Sequence, residues 1–482
     1  MDLDNESPVY KDVDDQDPDR QEHEHGLENN ETVETDRDQR RLSATSTSPK
    51  LEMINFMGAA DMLAYRPKVK DRVWHLSEID IGWIATGCYI LGAGGGGSPY
   101  ATAVRLRQMV HNGDTICVVH PRDIPDDARV GGACFVGSPS VLIEKLAADE
   151  LLEAQQELAR VLDRPITHLN CLEIGGANGM QSLVVSASSN LDLPTVDGDF
   201  CGRAYPVLWQ TTPYVVNERQ PVYIPVALSD GNGNSVTITR SGSDKIVERL
   251  MRAVLSELGS AVGAAFAPST GAETKRWIIE NTMSLAWRIG RAVHCARRSN
   301  RTGMVAESII DSCGGPEAAK VLWRGKIVAV ERILRKGHLY GECIVEGNAE
   351  GGFSGRVNIP FKNENIAAIK LSSQISQPFE PIQVNAQNSC EGDILGIVPD
   401  LVCVLDAQDG EAIGTQDYRY GLNVIVLGIA ASEQWTNSKR GINIGGPEGF
   451  DVGHLKYKPL GRHINPQSVI DEFDQLPLDR TN

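Results

Sequence analysis

Three short stretches of the chain join glycine to side chains that can bind ligands or move protons. The first, LGAGGGGSPY, has glycine at Gly94, Gly95, Gly96 and Gly97, just before a segment of helical pattern opened by Ser98 and Pro99. Backbone without side chains can approach a ligand closely, and the first N–H groups of a helix have no partner within it, so such a turn attracts anions and polarised carbonyls. The second, EIGGANG, sets the carboxylate Glu173 five residues before the amide Asn178. The third, VDGDFCGRAYP, has Asp197 and Asp199 two apart with Arg203 close by. On an extended segment those two carboxylates share a face, and paired carboxylates push one pKa upward, toward a general acid or base at neutral pH. A solvated acidic turn pinned by Arg203 is the plainer reading of the third segment alone. What favours chemistry is recurrence, because turns at the carboxyl ends of strands in an open α/β sheet line one crevice.

Competing chemistries at these segments are weaker. Gly92, Gly94 and Gly97 also satisfy G-x-G-x-x-G, the dinucleotide fingerprint, which leaves an NAD(P)-binding oxidoreductase as an alternative. That fingerprint needs a preceding strand, whereas IGWIATGCYIL has the pattern of a buried helix, and His120 and Pro121 stand where an acid should close the second strand. Cys201 beside Arg203 has the makings of a nucleophile, but anionic neighbours oppose a thiolate and a packed cysteine is favoured. DGNGN at 230–234 lacks the closing Glu of a calcium loop and reads as a hairpin tip. His454 and His463 read as structural, no metal site is assigned, and no cofactor is expected, although a divalent ion at the carboxylates is left open.

The elements that must hold these turns alternate between helix and strand. Ser77 and Asp80 form a capping box ahead of IGWIATGCYIL, and a helix follows from Ser98 to about His111. Strands are expected at 115–120, 133–137, within ITHLNCLEIGG and within LPTVDGDF, with a long helix over 141–162. VYIPVALSDGNGNSVTITR is a hairpin, and Asp244 caps a helix with Ile246, Leu250, Val254, Leu258 and Val262 on one stripe. This pattern implies a largely parallel sheet covered by helices. A further helix is expected over about 273–298, and from Leu339 onward short strands predict a small β-barrel. The fold class is therefore α/β, a three-layer α/β/α domain over 73–266 followed by an α+β region over 267–470 with a small barrel. Residues 1–72 read as a disordered acidic tail.

Composition narrows the partners. The net charge is −18, but residues 1–50 hold fifteen Asp and Glu against six Lys and Arg, so half of it lies in the tail. No basic stripe with interleaved aromatics occurs, which argues against nucleic acid. No apolar run approaches the roughly 20 residues of a membrane helix. The acidic N-terminus does not resemble a signal peptide, and the ten cysteines include no C-x-x-C pair, which together predict a cytoplasmic protein with reduced thiols. A small-molecule substrate is the expected partner, with a homo-oligomer left open.

Taken together, GAGGGGSPY, the E-I-G-G-x-N-G turn, the D-G-D-x-x-G-R-A-x-P segment and a late G-G-P-E-G-F turn resemble the S-methyl-thiohydantoin desulfurase family over about 76–465. The family was formerly a domain of unknown function associated with hydantoinase and oxoprolinase proteins, and the chain resembles its fungal type. The resemblance implies a three-layer α/β domain with a C-terminal barrel, and hydrolysis of an S-methylated thiohydantoin to a hydantoin with release of methanethiol. By motif position it carries over Gly94 to Gly97, Glu173, Asn178, Asp197, Asp199 and Arg203. The mechanism expected from it has Asp197 or Asp199 as base, Glu173 as acid and the glycine loop, with Asn178 and Arg203, as the substrate-binding groups. Family members favour an apolar residue at the place of Cys201. This chain lacks a hydantoinase domain and adds an acidic tail, which leaves room for a different substrate; a non-catalytic partner of a hydantoinase is the second alternative.

Overall fold

A computed structural model of the chain describes residues 57–474 apart from 138–140, 142, 143, 146, 336 and 373–391. The acidic tail expected over 1–72 lies outside the described residues as far as 56. Beyond that the expectation is corrected, because a short helix at Ala59–Ala64 and strand β1 (Lys68–Lys70) bury Met62 and Val69 to 2% exposure.

A ten-stranded sheet carries the first part of the chain. β1 pairs with β2 (Val73–His75), and across the sheet follow β3 (Cys117–Val119), β6 (Thr195–Asp199), β5 (His168–Cys171) and β4 (Arg129–Gly137). Beyond β4 come β9 (Ala261–Thr270), β7 (Val226–Ser229) and β8 (Ser235–Ile238), while β10 (Ile279–Glu280) pairs with β6. Only β3, β6, β5 and β4 run parallel; every other pairing is antiparallel, so the sheet is mixed rather than largely parallel. The antiparallel share comes from hairpins such as β7–β8, whose tip is the 230–234 turn expected from sequence.

Alternation along the strands makes three layers. Ala133 and Phe135 pack with Leu151 of α3 (Glu150–Ala159) and Val185 of α4 (Asn178–Ser186). Val130 and Cys134, one residue out of phase, pack on the other face with Val247, Met251 and Leu255 of α5 (Asp244–Glu257). Preceding these are α1 (Glu78–Leu91), with Ser77 at its N-cap as expected, and α2 (Tyr100–His111), whose N-cap is Pro99 rather than Ser98. The 141–162 helix is shorter than expected, since α3 opens only at Glu150 and several residues before it lie outside the described set.

The stripe expected on α5 is displaced by one residue. Ile246 and Leu250 are each 41% exposed, Val262 lies in β9, and the buried spacing-four series is Val247, Met251 and Leu255. Ser243, not Asp244, is the N-cap; the Asp244 carboxylate instead accepts from the backbone N–H groups of Val222 and Tyr223. Met251→Ala should therefore destabilise the fold by about 2–5 kcal/mol, and Leu250→Ala by less than about 0.5 kcal/mol, in urea unfolding. Equal losses would restore the Ile246 stripe as the buried one.

The single helix expected over 273–298 is two helices. One spans Gly271–Trp277; β10 then pairs with Gly198 and Asp199, Asn281 turns the chain at a φ of 63°, and α6 (Thr282–Arg298) follows. α6 lies tightly on α1, because a Cβ on Gly87 would fall 1.9 Å from the Ala286 carbonyl oxygen and one on Gly290 1.9 Å from that of Trp83.

The second sheet is antiparallel throughout, in the order β16 (Gly392–Ile397), β15 (Ala367–Leu371), β13 (Arg356–Lys362), β12 (His338–Gly347), β11 (Ala319–Arg335), β18 (Asn423–Ile429), β17 (Leu401–Asp406). The two-residue β14 (Glu364–Asn365) pairs with β13. Register shifts in β11 at Ile327/Ala329 and Val321/Trp323 bend the sheet, which curls into a half-barrel. β11 was not expected from sequence; its Lys, Arg and Glu residues interrupt any clean alternation. No helix among the described residues is long and apolar enough to cross a membrane.

Candidate functional site

The three glycine turns meet, and a fourth segment from the second sheet joins them. Gly92 ends α1, so a helix rather than a strand enters the glycine loop, and the dinucleotide fingerprint lacks its required context. The Ala177 N–H donates to the Gly96 carbonyl at 2.9 Å, and the Gly176 N–H to that of Cys88 at 2.7 Å. From the other side the N–H groups of Asn365 and Thr415 donate to Ala93 and Gly94, each at 2.8 Å. Glycine is needed here largely because protein fills the space. A Cβ on Gly95 would lie 2.2 Å from Glu364 Oε1, and one on Gly96, at a φ of 72°, 2.3 Å from the Gly175 carbonyl oxygen. Of the four, Gly96 lines the adjoining cavity.

That cavity, of about 80 Å³, is walled by the end of β4, the 172–178 turn, residues 205–208, α5 and the Asn363–Glu364 turn. Its volume suits a small ring and is well under the roughly 300–1,000 Å³ that encloses a drug-sized ligand. Glu173, Asn178 and Glu364 are among its buried polar residues.

Glu173 accepts from Asn178 Nδ2 at 2.7 Å through Oε1 and from the Tyr205 N–H at 2.9 Å through Oε2. Asn178 cannot turn away, because it also exchanges hydrogen bonds with both backbone groups of Phe135 on β4. Burial pushes the Glu173 carboxyl up to about 7, against the pull of its two donors. Glu364 lacks such support. It is 2% exposed, its Oε2 has no partner among the described residues, and burial followed by the charge of Glu173 raises its pKa well above the usual range. Two carboxyls with unequal environments thus face one cavity, and such pairs divide naturally into base and acid.

Asp197, Asp199 and Arg203 are buried close by without lining the cavity. The two aspartates do share a side of the chain, that of the start of α6. Asp197 accepts from the N–H groups of Met283 and Ser284 and from the Ser284 hydroxyl at 2.5 Å, which anchors the N-terminus of α6 to β6. Asp199 Oδ2 accepts from the N–H groups of Ile174, Cys201 and Gly202 at 2.8, 3.0 and 2.7 Å, and burial raises its pKa to about 6. Asp199 therefore ties the second and third turns together. Arg203 donates to the carbonyls of Ala204, Pro399, Asp400 and Asn365 and lies 5.1 Å from the Tyr205 ring and 5.8 Å from that of Phe450. It locks the third turn to the second sheet and to the G-G-P-E-G-F segment.

Cys201 lines the cavity, but burial and then the charges of Glu173 and Asp199 push its thiol up, which suits packing rather than nucleophilic attack. Sequence reasoning passed over Glu364. Its one local signal is an acid in the polar KNEN turn between the apolar stretches NIPF and IAAI. No group of three or more His, Cys, Asp or Glu placed to hold a metal ion occurs among the described residues.

Two family models match the chain: S-Me-THD-like, N-terminal domain, over residues 79–240, and S-Me-THD-like, C-terminal domain, over 242–460. A crystal structure of a protein from Chromobacterium violaceum, a structural-genomics target, is similar over 80% of this chain and 99% of its own, with a TM-score of 0.62 at 20% identity. That likeness is one of fold. No curated protein matches the chain.

Proposed function

The chain belongs to the S-Me-THD-like family, which points to hydantoin-related chemistry, and from that premise we propose that it hydrolyses an S-methylated thiohydantoin ring to the hydantoin and methanethiol. The observation that carries this reading is the pair Glu173 and Glu364 on one small cavity. Glu173, whose pKa of about 7 leaves it substantially ionised at neutral pH, acts as the base that takes a proton from water. The hydroxide equivalent forms a C–O bond at the ring carbon bearing sulfur. Glu364, kept protonated by its burial, gives a proton to the adjacent ring nitrogen as negative charge develops there. When the C–S bond breaks, methanethiolate leaves and takes up the second proton of the attacking water, and the proton held by Glu173 passes to Glu364 through solvent, which restores both carboxyls. Gly96 and Asn178 bound the space that the ring occupies.

This assignment moves the base from Asp197 or Asp199 to Glu173, and the acid from Glu173 to Glu364. The reason is geometric: Asp197 spends its oxygens on α6, and Asp199 spends Oδ2 on three N–H groups. The test is incubation with an S-methylthiohydantoin in ¹⁸O-labelled water. Hydantoin carrying one ¹⁸O, together with free methanethiol, is the expected product. Binding of hydantoins without any product would overturn the reading in favour of a non-catalytic hydantoinase partner, and saturable NADH binding in favour of an oxidoreductase.

The same scheme predicts a bell-shaped pH profile. kcat/KM should rise as pH climbs through about 7, where Glu173 becomes ionised, and fall at higher pH as Glu364 loses its proton. A flat profile from about pH 5 to 8 would refute Glu173 as the base.

A further inference from the structure

The two halves of β11 have different neighbours. Ala319–Lys326 pairs with β18, and the cover on that side ends where Ile327 exchanges backbone hydrogen bonds with Leu422 and Gly421. From Ala329 to Arg335 the strand pairs with β12 alone among the described strands, which leaves its other edge open. Arg332 is spent within the chain, on the carbonyls of Gln416 and Tyr418. Ile333 and Leu334 point to opposite faces of the strand and are 54% and 58% exposed, so this half meets solvent on both faces.

An exposed apolar edge is a template for another strand, and charges placed along it usually repel the incoming chain. The order of the charges here does the opposite for a copy of itself. Antiparallel pairing of two copies about Ile333 sets Ile333 against Ile333 and Glu331 against Arg335, once on each side of the two-fold axis. A register about Arg332 would set Ile333 against Glu331, and one about Leu334 would set it against Arg335. Neither Glu331 nor Arg335 has an ion-pair partner among the described residues. Glu331 instead stands opposite Glu342 on β12, a like-charge pairing that costs stability until a cation joins it. Glu342 is 7% exposed, and burial, with the charge of Glu331 adding to it, raises its pKa against the pull of Asn358.

We propose that the Ala329–Arg335 edge of β11 is an interaction surface for a second copy of this chain, which adds its own β11 antiparallel across a two-fold axis at Ile333. Two half-barrel sheets then become one continuous sheet, and the Arg335 of each copy supplies the cation that Glu331 of the other lacks. A contact confined to one strand edge buries less than the roughly 1,200–2,000 Å² of a standard stable interface, so the dimer is reversible and depends on concentration. This surface is independent of the reaction assigned to the cavity.

The test is sedimentation velocity of the full-length protein over about 1–200 µM, the range in which a contact of this size dissociates. Wild type should pass from monomer to dimer. Arg335→Glu and Glu331→Arg should each raise the dimer Kd by roughly 10–100-fold, because two cross-strand pairs turn at once from opposite to like charge. The variant carrying both substitutions restores the pairs in exchanged order and should return to within about threefold of wild type. Ile333→Lys, at a position more than half exposed, should dissociate the dimer without unfolding the chain. Wild type that stays monomeric throughout overturns the proposal, as does a dimer that survives both Arg335→Glu and Ile333→Lys. Single variants that dissociate without rescue by the folded double variant overturn the pairing about Ile333. Melting curves report folding; if Glu331→Arg does not fold, Arg335→Glu and Ile333→Lys decide.

Discussion

Glu364→Gln is expected to lower kcat for ring hydrolysis by about 10²–10⁴-fold while leaving the protein folded, the range that general acid catalysis supplies. Glu364 is fully buried and its Oε2 has no partner among the described residues, so the folded protein holds the carboxyl protonated. Glutamine replaces one neutral group by another of the same shape and removes the transferable proton. The stability consequence has a definite sign. A carboxyl whose pKa is raised on folding binds its proton more tightly in the native state, so stability falls as pH rises from the unfolded carboxyl value toward the folded one. The glutamine variant lacks that loss and should match or exceed wild type in melting temperature at about pH 8, with the gap narrowing toward about pH 4. A folded variant with kcat within about tenfold of wild type would remove Glu364 from the reaction. The KM–kcat split matters too, because a residue that only shaped the cavity would move KM.

What sequence made legible was local. The capping box at Ser77, the β7–β8 hairpin and the Glu173–Asn178 pair each involve residues a few positions apart, and each is found where local chemistry puts it. The convergence of glycine turns was also foreseeable, from the rule about strand ends. Its purpose was not. Gly95 and Gly96 are glycines because Glu364 and Gly175 occupy the space a side chain would need, and that space is defined by a segment from the second sheet. Glu364 escaped for the same reason, since the burial that makes it unusual comes from chain distant in sequence. The α5 stripe shows a subtler failure. Ile246, Leu250 and Val254 fit a spacing of four as well as Val247, Met251 and Leu255 do, and only the position of β4 and β9 chooses between them.

Asp199 supplies the sharpest separation between a residue that builds the site and one that reacts in it. Asp199→Ala would strip the acceptor from three buried N–H groups, those of Ile174, Cys201 and Gly202. At about 1–3 kcal/mol for each orphaned donor, the loss is roughly 3–9 kcal/mol. That is comparable with the roughly 5–15 kcal/mol total stability of a domain, so this variant should unfold or accumulate insoluble. Asp199→Asn behaves differently. Its amide oxygen can take the three N–H groups while the amide nitrogen replaces Oδ1, which has no partner of its own among the described residues, near the Thr282 hydroxyl. Because the folded pKa of about 6 lies above the ordinary aspartate value of 3.8, wild type loses stability as pH rises between those values, by about 3 kcal/mol in all. Asparagine escapes that loss, so urea unfolding should show the variant gaining on wild type from about pH 4 to about pH 7. If Glu173 is the base, Asp199→Asn also retains turnover within about tenfold. A folded asparagine variant that is more stable near neutrality yet inactive would return the base to Asp199 and leave Glu173 as the group that positions Asn178.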